Sequence, residues 1–269
     1  MLTVGHERGT RMEPPRRLAD APHPVFVRAF EYPQGYTGHP HRHRLAQIVY
    51  PLRGVVSVET GPGTWVVTRL IAVAIPPWQE HRVSAHGNAS LRSVFVDPDV
   101  HPHLSTTTAT VHVTELLHEL IREAGRHYTD FDERDEVAAS VVDLIVRVLP
   151  TMPTSDTSVW LPRVETQLLR PVAVALDEDP SDATSVDEWA RRLGLSPRHF
   201  SRLFKQETGV PFSRWRALHH VKHALVLLAS GSNVTRVAMD LGYASTSAFI
   251  EMFKRHTGRT PGAWTNATA

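Results

Sequence analysis

The sequence of 269 residues contains no cysteine. Disulfides, thiol nucleophiles and zinc fingers all need cysteine side chains, so this chain can form none of them. Any metal ion would have to be bound by histidine or carboxylate side chains. Histidine is plentiful, with 17 copies, and the places where it clusters are therefore candidate binding sites.

Long apolar runs are also missing from the sequence. No stretch approaches the roughly eighteen consecutive apolar residues that a membrane helix needs, and the first residues lack the apolar core of an export signal. We therefore expect a cytoplasmic protein without a membrane partner. The sequence also lacks a nucleophile elbow, a phosphate-binding loop and a spaced pair of glycosidase carboxylates, which argues against an enzyme.

Acidic residues are scarce at the C-terminal end. The net charge is only +1, but the residues from Asp187 onwards carry 12 Lys and Arg against 5 Asp and Glu. Clustered cations bind polyanions by releasing condensed counterions, so this imbalance favours a C-terminal module that binds nucleic acid. From charge alone, a basic face that is simply solvated is equally compatible with the count.

The chain divides into four segments. Residues 1–24 are rich in proline and charge and are predicted to be a disordered arm. Residues 25–150 open with short β-rich runs such as "VFVRAF", "AQIVYPL" and "LRSVFV", which predict an antiparallel β-barrel or sandwich followed by helices. Residues 151–162 are a linker rich in Pro, Ser and Thr, and residues 163–269 are predicted to be all-α. The predicted fold class is therefore α+β, with two domains.

Two amphipathic helices are predicted to end the first domain. Their apolar stripes recur every three or four residues. The stripes comprise Leu116, Leu117, Leu120, Ile121 and Ala124 in the first helix and Val137, Val141, Leu144, Ile145 and Val148 in the second. Such stripes usually pack within their own domain, but they also build the contact of a symmetric homodimer.

The C-terminal segment contains an internal repeat. The first unit, "SVDEWARRLGLSPRHFSRLFKQETG", runs from Ser185 to Gly209, and the second, "SNVTRVAMDLGYASTSAFIEMFKRHTG", runs from Ser232 to Gly258. Each reads as a helix, a glycine-containing turn and a second helix, with Ser196 and Ser245 as predicted N-caps of the second helices. Phenylalanines four residues apart are expected to face inward in each second helix. The repeat therefore predicts two helix-turn-helix motifs.

The outward side chains of the second helices suit the major groove of DNA. Arginine can contact guanine through two hydrogen bonds, serine and threonine can contact several bases, and lysine suits phosphate. The candidate DNA-binding residues are Arg198, Ser201, Arg202, Lys205, Thr246, Ser247 and Lys254. A continuous helix between the units would hold the two reading helices roughly 30 Å apart, close to one turn of B-DNA. The alternative is a small helical bundle whose polar residues are only solvated.

Residues from about Pro171 to Trp264 resemble the DNA-binding domain of the arabinose-regulator (AraC/XylS) family of bacterial transcription factors. The likeness rests on "LGLSPRHFSRLFKQETG" and "LGYASTSAFIEMFKRHTGRTP". It implies seven helices, two helix-turn-helix motifs and a preceding domain that senses a ligand or dimerises. It also implies Glu251 as a base-contacting residue, where an acidic side chain could accept from cytosine N4 or repel phosphate. Double-stranded promoter DNA, RNA polymerase and a second copy of the chain are the partners it suggests.

Three histidines lie within five residues at the start of "HPHRHRLAQIVYPLRG", His39 to Gly54. Together with the later "PPWQEH", this stretch resembles the two motifs of cupin barrels, in which two histidines, a glutamate and a third histidine hold a metal. The resemblance implies a cupin-like barrel with a metal site for zinc or nickel at His41, His43, Gln47 and His81. Glutamine stands where the cupin motif has glutamate, which removes one negative charge from the ligand set. Trp78 stands where that motif has glycine.

The alternative role for these histidines is to line a pocket for a small-molecule effector. The candidate lining residues are His41, His43, Gln47, Tyr50, Trp65, Trp78 and His81. For the two tryptophans, plain core packing is an equally good interpretation.

Two functions of different classes follow from these features. One is a transcription regulator whose N-terminal domain senses a small molecule or metal and modulates promoter binding. The other is a metal-dependent cupin oxygenase or isomerase in which His41, His43 and His81 would bind a catalytic ion. The enzyme leaves the basic repeat unexplained, and the missing glutamate weakens it further. A third candidate, a helical adaptor with a structural barrel, is disfavoured by the arginines on both predicted reading helices. We therefore predict a regulator.

Overall fold

The computed structural model describes residues 24–69, 71–101, 107–127, 136–149 and 159–268. The predicted arm lies outside these residues except for its last residue, and so does the predicted linker up to residue 158. Within the described part of the chain, no helix is both long and apolar enough to cross a membrane.

The N-terminal domain is an antiparallel sheet, as predicted. Its strands are β1 (Val25–Tyr32), β2 (Ala46–Thr60), β3 (Gly63–Val67), β4 (Ile71–Ile75), β5 (His81–Val96), β6 (Ala109–His112) and β7 (Val159–Pro162). They follow the order β1-β5-β2-β3-β7, with β4 paired to both β2 and β6. The long strands β2 and β5 pair along most of their length. Among the described strands, hydrogen-bond pairing runs from β1 to β7 without closing into a ring.

Strand β2 is irregular near its middle. The pairing of β2 with β5 shifts register on either side of Arg53. Gly54 follows with a φ of +84°, and a Cβ at this position would lie 2.6 Å from the carbonyl oxygen of Asn88. Only glycine tolerates both the left-handed backbone and the close approach, so this residue fixes a β-bulge that bends the sheet.

Part of the predicted linker is a strand. Val159–Pro162 forms β7 and pairs with β3, so the linker prediction of residues 151–162 is wrong for these four residues. The linker prediction rests on the many Pro, Ser and Thr residues between residues 151 and 158. The four residues that follow, "VWLP", have the apolar character of a strand. The C-terminal domain therefore begins directly after a strand of the N-terminal sheet.

Two helices follow β6, as predicted: α1 (Glu115–His127) and α2 (Glu136–Val148). Leu117, Ile121 and Ile145 of their stripes are fully buried against the sheet. Not all predicted stripe positions face inward, because each stripe is wider than the contact with the sheet. The exposed members are Leu116, Val137 and Leu144, at 55%, 63% and 40% exposure.

Residues 163–268 form the predicted all-α domain. Its seven helices are α3 (Arg170–Glu178), α4 (Val186–Arg192), α5 (Pro197–Thr208), α6 (Phe212–Ala229), α7 (Val234–Asp240), α8 (Thr246–Thr257) and α9 (Pro261–Thr268). This number agrees with the resemblance. The helical domain packs on the outer face of the sheet, where Val66 and Val159 share one apolar cluster with Leu225 and Trp264.

Candidate DNA interface and effector site

The repeat forms two helix-turn-helix motifs, α4–α5 and α7–α8. Both predicted N-caps are confirmed: the side chain of Ser196 accepts from the backbone N–H of His199, and that of Ser245 accepts from Ala248. Both second helices end at a left-handed glycine, Gly209 and Gly258. The local sequence thus sets where each reading helix begins and ends.

The inward faces of the reading helices are aromatic. The phenylalanines predicted to face inward, Phe200 and Phe204 in α5 and Phe249 and Phe253 in α8, are completely buried. In the first motif, Phe204 packs edge-on against Phe212 and Trp215 of α6. These contacts fix the rotation of each reading helix and so determine which side chains point outward.

The outward faces carry the predicted DNA-binding residues. The exposed ones are Arg198, Ser201, Arg202, Lys205, Ser247, Glu251 and Lys254, and Thr246 is half-buried. Among the described residues, Arg198, Arg202, Lys205 and Lys254 have no ion-pair partner. By contrast, Arg192 and Arg236, on the first helices of the two motifs, pair with carboxylates of their own helices. The cations on the reading faces are therefore free to meet phosphates or base edges.

Glu251, the acidic residue on the second reading helix, is paired. Its Oε1 lies 2.9 Å from the guanidinium of Arg255, one turn further along α8. The pair brings a compensating positive charge to the same face, which weakens the repulsion that Glu251 alone would exert on phosphate. Arg255 is not among the predicted DNA-binding residues, although its spacing of four residues from Glu251 is typical of an ion pair on one helix face.

Helix α6 connects the two motifs. It has 18 residues, which corresponds to about 27 Å of helix and is close to the predicted separation of the reading helices. The indole N–H of Trp215 donates to the carbonyl oxygen of Pro162 at 2.8 Å. The connecting helix is thereby tied to the last residue of β7.

In the N-terminal domain, His41, His43 and His81 converge at one end of the sheet, and their candidate ligand atoms lie within 4.8 Å of one another. His41 is held by two backbone hydrogen bonds to His81, the first residue of β5. Gln47 projects from β2 into the same cluster, as predicted. His39 is exposed and lies outside it.

The hydrogen bonds of the cluster orient every ring. The Nδ1 atoms of His41, His43 and His81 face the backbone carbonyls of residues 39, 45 and 79 at 3.0, 2.8 and 2.9 Å. Each Nδ1 therefore carries the proton in the neutral ring, and each Nε2 keeps a lone pair. The side-chain amide of Gln47 donates to Ser93 Oγ at 2.9 Å, which turns its oxygen towards the rings. Sequence analysis had not identified Ser93.

In this arrangement, the side-chain oxygen of Gln47 faces the Nε2 atoms of two histidines. Gln47 Oε1 lies 3.1 Å from His43 Nε2 and 3.0 Å from His81 Nε2. With this orientation of the Gln47 amide and neutral Nδ1–H rings, the amide oxygen faces two nitrogen lone pairs, whereas the opposite orientation would let the amide N–H groups donate to both nitrogens. Burial lowers the pKa of His43, and it lowers the pKa of His81 to about 4, so a proton is disfavoured there at neutral pH. Three imidazole rings whose ligand atoms lie within 4.8 Å of one another, with an amide oxygen beside them, form a donor set of the type that binds divalent cations.

The remaining predicted pocket residues are more scattered. Tyr50 does not line this site, because it lies on the other face of β2 and its hydroxyl contacts His118 of α1 at 2.7 Å. Trp78 is neither in the core nor enclosed, since it is 62% exposed with a φ of 62°. Its backbone N–H donates to the carbonyl of His43. The cupin motif has glycine at the position of Trp78, which agrees with the left-handed backbone of this residue.

Trp65, the last of the predicted pocket residues, is half-buried beside Trp160 on β7, with ring centroids 5.8 Å apart.

Comparisons with known proteins agree with both halves of the chain. The family described as "Helix-turn-helix domain" matches residues 189–267, and the "AraC-like ligand binding domain" matches residues 23–138. The chain is 30% identical over 224 residues to the HTH-type transcriptional regulator NimR of Escherichia coli K12, covering 83% of this chain and 81% of NimR.

Two further proteins show more limited likeness. The HTH-type transcriptional regulator RipA of Corynebacterium glutamicum is 43% identical over 96 residues, which are 36% of this chain and 29% of RipA. A crystal structure of ToxT from Vibrio cholerae aligns over 91% of this chain and 98% of ToxT, at 9% identity and a TM-score of 0.38.

The match to NimR extends through most of both proteins, and the matched regions hold the ligand-binding domain and the exposed reading helices described above. The cupin enzyme is therefore excluded, because the relatives are regulators of transcription. The chain belongs to the AraC family of helix-turn-helix transcriptional regulators, and it is a DNA-binding protein with a ligand-binding N-terminal domain.

Proposed function

We propose that this regulator responds to a divalent metal ion, zinc or nickel, bound by His41, His43, His81 and Gln47. The observation that carries the proposal is the convergence of His41, His43 and His81, whose candidate ligand atoms lie within 4.8 Å of one another, with the Nε2 atoms of His43 and His81 at 3.1 and 3.0 Å from Gln47 Oε1. A cation at the centre of the cluster would turn these opposed lone pairs into ligands. Three histidines with a neutral oxygen donor suit a borderline ion of this kind.

The surroundings of the cluster support the same proposal. In metal sites, the second nitrogen of a ligating histidine usually donates to a carbonyl or carboxylate, which fixes the ring and raises its basicity. Here, all three Nδ1 atoms face backbone carbonyls. The alternative effector is a small molecule that donates several hydrogen bonds. It would have to donate them to the Nε2 atoms of His43 and His81 and to the oxygen of Gln47.

Metal analysis of the purified protein tests this proposal. After growth in medium supplemented with zinc or nickel, we expect the double variant His41→Ala/His81→Ala to lose about one ion per chain relative to the wild type. His39→Ala is the matched control, because its backbone carbonyl, which faces His41, is retained. Equal metal content in the wild type and the double variant would leave only the pocket-lining role for these histidines.

We further propose that the protein acts as a homodimer through α1 and α2. Leu116, Val137 and Leu144 are large apolar side chains that α1 and α2 leave exposed, and helices of this kind can build a twofold contact from one surface of each copy. A dimer would present two copies of the helix-turn-helix domain to a promoter. We propose RNA polymerase as a further partner at that promoter. We also propose that the protein acts in the cytoplasm.

Sedimentation velocity tests the dimer. We expect Leu116→Asp combined with Leu144→Asp to convert the dimer into a monomer, because each interface then buries unpaired carboxylates. Leu168→Asp is the control, since this leucine is equally exposed but precedes α3 in the other domain. A wild-type protein that sediments as a monomer at tens of micromolar would refute the proposal.

A further inference from the structure

A second group of metal-ligating side chains lies in the DNA-binding domain. His219 and His223 are one turn apart on α6, and Asp177 reaches them from α3. The Nε2 of His219 is 2.9 Å from Oδ1 of Asp177. One candidate ligand atom from each of the three residues lies within 4.8 Å of the others.

The two rings are incompletely satisfied. His219 is completely buried, and its Nδ1 has no hydrogen-bond partner among the described residues; the same holds for the buried Nε2 of His223. Buried polar atoms normally find partners, so the unpartnered Nε2 of His223 needs an explanation; in His219 it is the other nitrogen, Nε2, that faces Asp177 and is available as a ligand. Asp177 is 57% exposed at its side chain, which leaves an open path from solvent to this group.

We propose that Asp177, His219 and His223 form a binding site for a divalent transition-metal ion such as zinc or cobalt. Two histidines spaced by four residues on a helix present their rings on one face, as chelating pairs require. Ligands about 2.0 to 2.1 Å from a tetrahedral zinc ion lie about 3.4 Å apart. The observed separations need only side-chain rotations to reach that geometry, with water completing the sphere on the exposed side.

Lys222 competes for the same carboxylate. Its Nζ lies 3.4 Å from Oδ1 of Asp177, and a bound metal ion would repel it. Burial lowers the pKa of His86 on β5, and the positive charge of Lys222 lowers it further. Metal binding would therefore displace Lys222 from Asp177 and would tie α3 to α6, the helix that connects the two helix-turn-helix motifs.

The experiment uses the full-length chain with His41→Ala and His81→Ala, so that the site proposed in the N-terminal domain cannot contribute. Zinc and cobalt are titrated separately, with isothermal calorimetry and the visible spectrum of cobalt as readouts.

We expect one equivalent of metal to bind. Asp177→Asn, which keeps an acceptor for His219, and His223→Ala should each lower the affinity at least tenfold. Lys222→Met should raise it, because the competing ammonium is gone. His199→Ala, an exposed histidine of the same domain, is the control and should leave the affinity unchanged.

Opposite results would overturn the inference. Absence of binding in both the His41→Ala/His81→Ala background and its Lys222→Met derivative would exclude the site. Binding that persists undiminished in Asp177→Asn and His223→Ala would place the metal elsewhere. Thermal unfolding of each variant without metal shows whether it is folded, and the rise in affinity expected for Lys222→Met cannot be produced by a folding defect.

Discussion

Replacing Arg202 by alanine should weaken binding to the cognate promoter by about 1 to 3 kcal/mol, or about 5- to 150-fold, while binding to unrelated DNA changes much less. Arg202 is exposed on α5 and has no ion-pair partner in the described part of the chain. Its guanidinium can therefore make two hydrogen bonds to a guanine. Losing such a contact should relax specificity at that one base pair.

Competition binding at fixed salt, with operator variants changed one base pair at a time, measures this effect. Lys254→Ala provides the contrast, since a phosphate contact is worth the same on every sequence and its loss should reduce the salt slope by about one. Arg53→Ala removes an exposed arginine of the N-terminal sheet, outside α1 and α2, and it should leave both quantities unchanged. An unchanged base preference in Arg202→Ala would remove this residue from the readout.

Replacing Phe204 by alanine should lower the free energy of unfolding by about 3 to 5 kcal/mol. The ring is completely buried among Phe200, Phe212 and Trp215, so its removal leaves a cavity between the first reading helix and α6. Because the ring also sets the rotation of α5, DNA binding should fall even under conditions in which the variant remains folded.

Urea unfolding followed by tryptophan fluorescence gives the free energy, with Trp215 as a nearby reporter. Leu203→Ala, at a half-buried position on the same helix, is the matched control and should cost clearly less. A loss below about 1 kcal/mol for Phe204→Ala would mean that the first motif does not depend on this contact.

The sequence predicted the helical domain in more detail than the sheet. Caps, glycine stops and inward phenylalanines act within one helix or turn, so Ser196, Gly209 and Phe200 could be placed from spacing alone. The partners in the N-terminal site are set by strand pairing between distant segments. Ser93, which orients Gln47, is 46 residues away in sequence, and no local pattern connects the two.

The errors have the same origin. Aromatic side chains commonly line ligand sites, which favours Tyr50 as a pocket residue, yet Tyr50 is three residues from Gln47 in β2 and therefore lies on the opposite face. Trp78 was expected to be enclosed because it is aromatic, but the left-handed turn before His81 directs it to solvent. Composition indicated a linker through Pro162, and the pairing of β7 with β3 could not be seen from proline and serine content.

The strand β7 has a consequence for how a signal would travel. The chain enters the helical domain from a strand that is hydrogen-bonded into the sheet, and the carbonyl of Pro162 at its end is bonded to Trp215. The connection between the two domains is therefore rigid and not a flexible linker. A movement of the first helix-turn-helix motif relative to the N-terminal domain would have to break or distort these hydrogen bonds. The protein should therefore respond to its effector by small rotations of one domain against the other and not by large, free domain movements.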